Sequence, residues 1–227
     1  MTTQRDAGAS ASQRRGAQLR NHVLLAAKDV FLETGYERTS MDAVAARAQT
    51  SKRSLYAHFE SKEKLFAAVL ALIGEMYLDQ LRTPDAYADE PVAAVTLFCA
   101  RFAELLVWDR SLRTCRLSIA EAQRLPGSSS PYYEAIFTTT YARLATYLTT
   151  SCAVEQASAE PLARELLDRT ALPRLFRALL GIDPVPADLP DETVLADDPH
   201  LPHIRAAVVE LLADAAGRPA LRSAARR

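Results

Sequence analysis

Residues 41–59 hold two short amphipathic segments with only Gln49 and Thr50 between them. Met41, Val44, Ala45 and Ala48 form the apolar stripe of the first, Leu55 and Phe59 that of the second. Ser40 and Ser51 stand where each segment needs a helix N-cap, and Asp42 lies in a first turn, where the helix dipole favours an acid. A two-residue connection cannot bring the second helix back antiparallel to the first, so the two must cross steeply, in a helix-turn-helix layout. A helix as short as the second is marginal in water by itself, so Leu55 and Phe59 must pin it to its neighbours. Its other face carries Lys52, Arg53, Ser54, Tyr56 and Ala57. That surface is slim, polar and basic, of a size that enters a major groove.

Helical periodicity continues on both sides. Leu19, Val23, Ala26, Ala27, Val30 and Phe31 follow 3-and-4 spacing over residues 17–34, and Gly35 is placed to end that helix. Ser61 caps a fourth helix with Glu63 in its first turn and Leu65, Phe66, Val69, Ile73 and Met76 on one face. The stretch LRTPDAYADEP breaks the chain before a fifth helix bearing Val95, Phe98, Cys99, Phe102, Leu105 and Leu106. A sixth is expected over about 111–125, then a PGSSSP loop. Ser130 and Pro131 open a seventh that carries Tyr133, Ile136, Phe137, Thr140, Leu144, Tyr147 and Leu148. An eighth is expected over about 159–180, kinked near Pro173 and ended by Gly181, and a last one over about 203–216. No strand-like alternation appears, so the expected fold is all-α with about nine helices.

A chain of 227 residues should bury about 70% of its unfolded surface, and 49% hydrophobic with 24% charged residues is an ordinary globular composition. Cys99, Cys115 and Cys152 are widely spaced and form no C-x-x-C pair, which suggests neither a disulfide framework nor a zinc knuckle and fits a reducing, cytoplasmic setting; no cofactor is expected. No apolar run reaches the roughly 18 residues of a membrane span, so no membrane partner is expected. The net charge of -1 hides an asymmetry: residues 1–65 hold 11 Lys and Arg against 7 Asp and Glu, the remainder 16 against 21. All four lysines lie in that first part. A basic module followed by an acidic one suggests that the first binds a polyanion.

The stretch LLAAKDVFLETGYERTSMDAVAARAQTSKRSLYAHFESKEKLFAAVL resembles, almost without gaps over residues 20–70, the DNA-binding domain of the tetracycline-repressor family of bacterial transcriptional regulators. The resemblance implies a helix-turn-helix domain over 17–65 and a helical ligand-binding and dimerisation domain over 66–217. It implies that Lys52 and Arg53 reach base edges, that Tyr56 touches backbone or a thymine methyl, and that Ser51, Ser54 and His58 lie on the same surface. Arg is suited to paired hydrogen bonds with guanine. Lys62, opening the fourth helix, is expected to hold a phosphate, and Ser40 to combine capping with a place beside phosphate. Where the family usually has glycine in the turn this chain has Gln49, so a left-handed backbone there would be mildly strained.

Residues 1–16, with Arg5, Arg14 and Arg15 among Ala, Ser, Gln and Gly, read as a disordered basic arm whose Arg14 and Arg15 could enter a minor groove. Residues 218–227 read as a basic tail. In the family the last two helices of each subunit form a dimeric four-helix bundle, and the effector occupies a cavity in the regulatory domain. The candidates for that cavity here are Phe98, Cys99, Phe102, Trp108, Tyr133, Phe137 and Tyr141, which suit a lipophilic or aromatic effector. His200 and His203 form an H-x-x-H beside Asp197 and Asp198, but no third ligand is specified, so no metal is expected. No nucleophile or acid–base pair has the spacing of an enzyme. The expected function is that of a homodimeric, ligand-responsive repressor on a palindromic operator, associated with the nucleoid of a bacterial cell. The alternative is a helical sensor protein whose helix-turn-helix no longer reads DNA specifically.

Overall fold

The computed structural model describes the backbone of residues 3–189 and 191–217 and the side chains of 14–189, 191–192 and 195–215. Among the described residues there are nine helices and no strand: α1 Thr3–Arg38, α2 Met41–Arg47, α3 Lys52–His58, α4 Lys62–Leu78, α5 Pro91–Val107, α6 Asp109–Glu121, α7, α8 Gln156–Leu179 and α9 Leu201–Gly217. The seventh, α7, is built of Ser130–Tyr133, a π-helical turn Glu134–Thr138, and Thr139–Ser151. The all-α expectation is met.

Several boundaries differ from the sequence reading, among them the starts of α6 at Asp109 and of α9 at Leu201, each two residues early. Residues 3–16, expected to form a disordered arm, continue α1, in keeping with an Ala-, Gln- and Arg-rich stretch that contains no proline. The helical run is interrupted at Gly35, at φ 80° and ψ 169°, where the chain had been expected to stop. The sixth helix ends at Glu121 instead of near 125, because the backbone tightens into turns in which Arg124 and Leu125 both donate to the Glu121 carbonyl. And α8 starts three residues earlier than expected and runs through both Pro161 and Pro173. The basic tail 218–227 and the side chain of Arg5 lie outside the described residues.

The chain divides into two compact units, one of residues 1–74 with 117–132, the other of 75–116 with 133–227. The first unit therefore takes in the end of α6 and the PGSSSP loop, a segment far away in sequence. Its core is Val23, Ala27, Val30, Phe31, Val44, Leu55, Leu65, Phe66 and Leu70, all at most 5% exposed. Phe31, Tyr36 and Phe66 pack ring to ring, with centroids 5.0–6.0 Å apart. In the second unit α5 is the central helix, with thirteen buried residues, packed on α8 and α9. Buried Arg101 pairs with Glu104 at 3.2 Å and approaches Glu192, which also pairs with Arg82; Arg174 holds Asp198 at 3.1 Å. These pairs tie the irregular 183–200 segment to the bundle. Among the described residues no single helix is long and apolar enough to cross a membrane.

Candidate nucleic-acid interface

The turn between α2 and α3 explains how a seven-residue helix can present one face outward. Ser40 Oγ accepts from the Ala43 amide and Ser51 Oγ from the Ser54 amide, both at 3.1 Å, so each short helix starts with a satisfied cap. At the end of α2, Gln49 adopts φ 47°. Its amide donates to Ala46 O at 3.1 Å and the Thr50 amide to Ala45 O at 3.0 Å, the paired closure of a Schellman motif. The left-handed backbone usually given to glycine is thus present with a glutamine side chain. Three contacts hold α2 and α3 to α1. His22 Nε2 lies 3.1 Å from Ala48 O, Arg47 pairs with Glu33 through two hydrogen bonds, and the Arg20 guanidinium sits 5.1 Å over the Phe59 ring. The Arg47 pair holds the Glu33 carboxyl below its ordinary range.

With Leu55 fully buried and Phe59 at 4% exposure, the opposite face of α3 is outward. Lys52, Arg53, Tyr56 and Ala57 are all exposed, and Ser54 is half-buried with its hydroxyl 2.9 Å from that of Ser51. Tyr56 is 43% exposed, so its ring does not pack under α1. Arg53 forms no ion pair or side-chain hydrogen bond among the described residues. Lys52 is different: its ammonium lies 2.8 Å from Asp42 Oδ1 and 3.0 Å from Oδ2, and that contact raises the lysine pKa. His58 closes α3 half-buried, and Arg14 and Arg15 are exposed on α1.

Lys62, expected to hold a phosphate, has its ammonium engaged within the protein. Its Nζ donates to the carbonyls of Tyr36 at 2.9 Å, Thr39 at 3.0 Å and Glu37 at 3.4 Å, and lies 4.2 Å from the Tyr36 ring centroid. An ammonium has three donors, and here all three are engaged. The cation stands at the end of α1, where unpaired carbonyls and the negative end of the helix dipole favour it. The neighbouring Glu63 accepts from the Tyr36 hydroxyl at 3.0 Å. Burial, followed by that carboxylate, pushes the Tyr36 pKa up to about 12. Beyond it, Arg124 pairs with Glu37 at 2.5 Å and with buried Glu121 at 3.4 Å. Lys62 and Glu63 thus grip one tyrosine from ring face and hydroxyl, fastening α4 to the end of α1.

The residues read as effector-pocket candidates do not form one lining. Phe98, Cys99 and Phe102 are at most 1% exposed in the packed core, and burial pushes the Cys99 thiol up to about 12. Trp108 is half-buried and donates to Ala187 O at 3.1 Å. Tyr133, Phe137 and Tyr141 do come together: Phe137 meets Phe102, Tyr133 and Tyr141 at 5.9, 5.0 and 6.2 Å. Tyr141 donates to Asp168 at 2.6 Å, beneath the Arg164 guanidinium at 4.6 Å. This cluster surrounds the π-helical turn, and beside it the Thr140 hydroxyl is buried with no hydrogen-bond partner. A shallow cavity of about 320 Å³ lies elsewhere, lined by Ala196, Asp197, Asp198, Pro199, Leu201, Pro202 and Arg205. Asp198 itself is engaged by Arg174 and by the His200 amide at 2.8 Å.

Sequence reasoning treated Asp42 only as a helix-dipole acid and missed it as the partner of Lys52. The signal was available, since a short, steep connection leaves Asp42 within reach of a lysine side chain at the start of α3. It missed the Tyr36 clamp altogether, which has no local signature.

Residues 23–69 match the model of the tetR family of bacterial regulatory proteins. Over 62 residues the chain is 47% identical to the HTH-type transcriptional activator FasR of Mycolicibacterium smegmatis, covering 25% of this chain and 28% of that protein. Over 131 residues it is 28% identical to the HTH-type transcriptional regulator TcmR of Streptomyces glaucescens, covering 55% and 57%. The chain thus spans from about a quarter to just over half the length of these curated relatives. Across most of its length it is similar to two solved structures. One is a TetR-family regulator from Mesorhizobium loti, with TM-score 0.72 and 24% identity over 88% of this chain and 98% of the other. The second is the flavonoid-responsive regulator FrrA, with TM-score 0.66 and 27% identity over 88% and 97%. The helix-turn-helix geometry and the sequence match agree on a tetR-family DNA-binding region over residues 23–69, and the chain as a whole is similar in fold to solved regulators of that family.

Proposed function

We propose that this protein is a DNA-binding transcriptional regulator that acts as a homodimer on a palindromic operator in the bacterial cytoplasm, and that a small lipophilic or aromatic effector releases it. The observation that carries the reading is the outward face of α3, where Arg53 and Tyr56 stand exposed on a helix fixed by its Ser51 cap, by buried Leu55 and Phe59, and by Arg20 over the Phe59 ring, with α2 tied to α1 beside it. An exposed guanidinium at the start of a groove-sized helix is the group best suited to paired hydrogen bonds with guanine O6 and N7. The matched relatives are regulators by name, and FasR is an activator.

Dimerisation draws support from Phe176, Leu180, Ile182 and Val209, which are 47–72% exposed on or just after the last two helices. Large apolar side chains left exposed along the last two helices are the kind of surface a second copy covers. An aromatic effector draws support from the Tyr133–Phe137–Tyr141 cluster, aromatic rings with the buried, unpartnered Thr140 hydroxyl next to them in the chain. FrrA is flavonoid-responsive, which lies in the same chemical class. The sensor alternative rested on Gln49, and the turn closes around that residue with its backbone hydrogen bonds intact.

The test is selection of bound duplexes from a random pool by the full chain at near-physiological salt. The expected result is an inverted repeat with half-sites about one helical turn apart, near 34–36 Å. Salt-sensitive binding with no enriched sequence would sink the proposal in favour of the sensor reading.

A further inference from the structure

We infer that Asp42 is a specificity-determining residue of the proposed DNA surface: it withholds the Lys52 ammonium from phosphate, so that binding to arbitrary sequence is held down while Arg53 remains available to a base. The inference rests on the DNA-binding reading given above.

Two cations open α3, and they differ in one respect. Lys52 lies within 2.8 Å of Oδ1 and 3.0 Å of Oδ2 of Asp42, whereas Arg53 has no ionic partner among the described residues. Both members of the pair keep more than half of their side-chain surface in solvent, so the pair faces outward, on the side that a duplex would approach. Sequence-independent affinity comes from cations that replace counterions on phosphate, each contributing about 0.9 to the slope of log K against log salt. A lysine already neutralised by a carboxylate releases no counterion unless that carboxylate is left behind. A phosphate approaching Lys52 also meets the Asp42 charge. The arginine pays neither cost, so the balance at this surface moves from phosphate attraction toward base reading. Selectivity obtained by making the wrong partner less favourable is a general device, and one surface carboxylate is enough to supply it.

The carboxylate can be neutralised without disturbing the fold. Ser40, not Asp42, caps α2, and the Asp42 side chain is 67% exposed. The experiment compares the full chain with Asp42→Asn, Lys52→Ala and the double variant, measuring affinity for a fixed duplex of arbitrary sequence and for a selected duplex across a salt series. Thermal melting checks that the four proteins are equally folded. Asp42→Asn should steepen the salt slope on the arbitrary duplex by about 0.9 and raise affinity there about 3- to 10-fold, with a smaller gain on the selected duplex. Lys52→Ala alone should change the slope little, and the double variant should return to the wild-type slope. An unchanged slope in Asp42→Asn overturns the inference while leaving the DNA-binding reading intact. So does a loss of affinity for the selected duplex, which would mean that Asp42 positions Lys52 for a base. Equal behaviour of Asp42→Asn and the double variant overturns it as well, since the lysine would then have no part. A wild-type chain that binds no duplex even at low salt overturns reading and inference together.

Discussion

At the scale of single residues, Gln49 and Gly181 make an informative pair. Each follows a helix, with φ 47° and 73°, and each closes the same motif: Gly181 and Ile182 donate to Ala178 O and Arg177 O as Gln49 and Thr50 donate to Ala46 O and Ala45 O. The hydrogen bonds are equivalent, but a side chain in the left-handed region costs about 1–2 kcal/mol, part of which glycine gives back as unfolded-chain entropy. Gln49→Gly is therefore expected to stabilise the chain by about 0.5–1 kcal/mol, a rise in Tm of about 1–4 °C in a melting curve, with operator preference unchanged. Tyr36 offers a second residue-scale prediction. Its folded pKa of about 12 lies above the ordinary value of 10, so the folded state binds that proton more tightly. The associated stability is complete below about pH 10 and is lost as pH rises toward 12. Tyr36→Phe should flatten the fall of Tm across that window, although it also loses the Glu63 hydrogen bond at neutral pH.

At the scale of elements, the fastening of α4 to α1 depends on one lysine. Charge-assisted hydrogen bonds each contribute about 1.5–3 kcal/mol, and Lys62 serves three carbonyls and a ring face together. Lys62→Met keeps the length of the side chain and removes the donors. It should cost about 2–3 kcal/mol in denaturant unfolding, and it should leave the salt slope of DNA binding unchanged. A slope lowered by about 0.9 would instead return Lys62 to the phosphate role expected from the resemblance. The caps, the stripes and the two-residue turn were legible in the sequence because they are local: Ser40, Ser51, Leu55 and Phe59 do what their spacing implied. The Lys62 contacts span 23–26 residues, and no pattern in the chain announces them.

At the scale of the whole molecule, the exposed apolar residues of α8 and α9 carry the prediction. Phe176 and Leu180 are 63% and 72% exposed, and covering such a side chain contributes about 1.5–3 kcal/mol. Phe176→Arg combined with Leu180→Glu should convert the proposed dimer to a monomer in sedimentation and weaken operator binding by more than tenfold, while the helical circular-dichroism signal is retained. A variant that stays dimeric would place the contact between copies elsewhere. The order and number of helices, the short steep turn and the basic face of α3 followed from the sequence by itself, because periodicity, capping and turn length act between residues a few positions apart. Which cation faces outward alone, which is held by Asp42, which is consumed at the end of α1, and which aromatic residues are core instead of cluster were decided by the tertiary structure. Those outcomes depend on partners that only folding brings within hydrogen-bond or van der Waals distance.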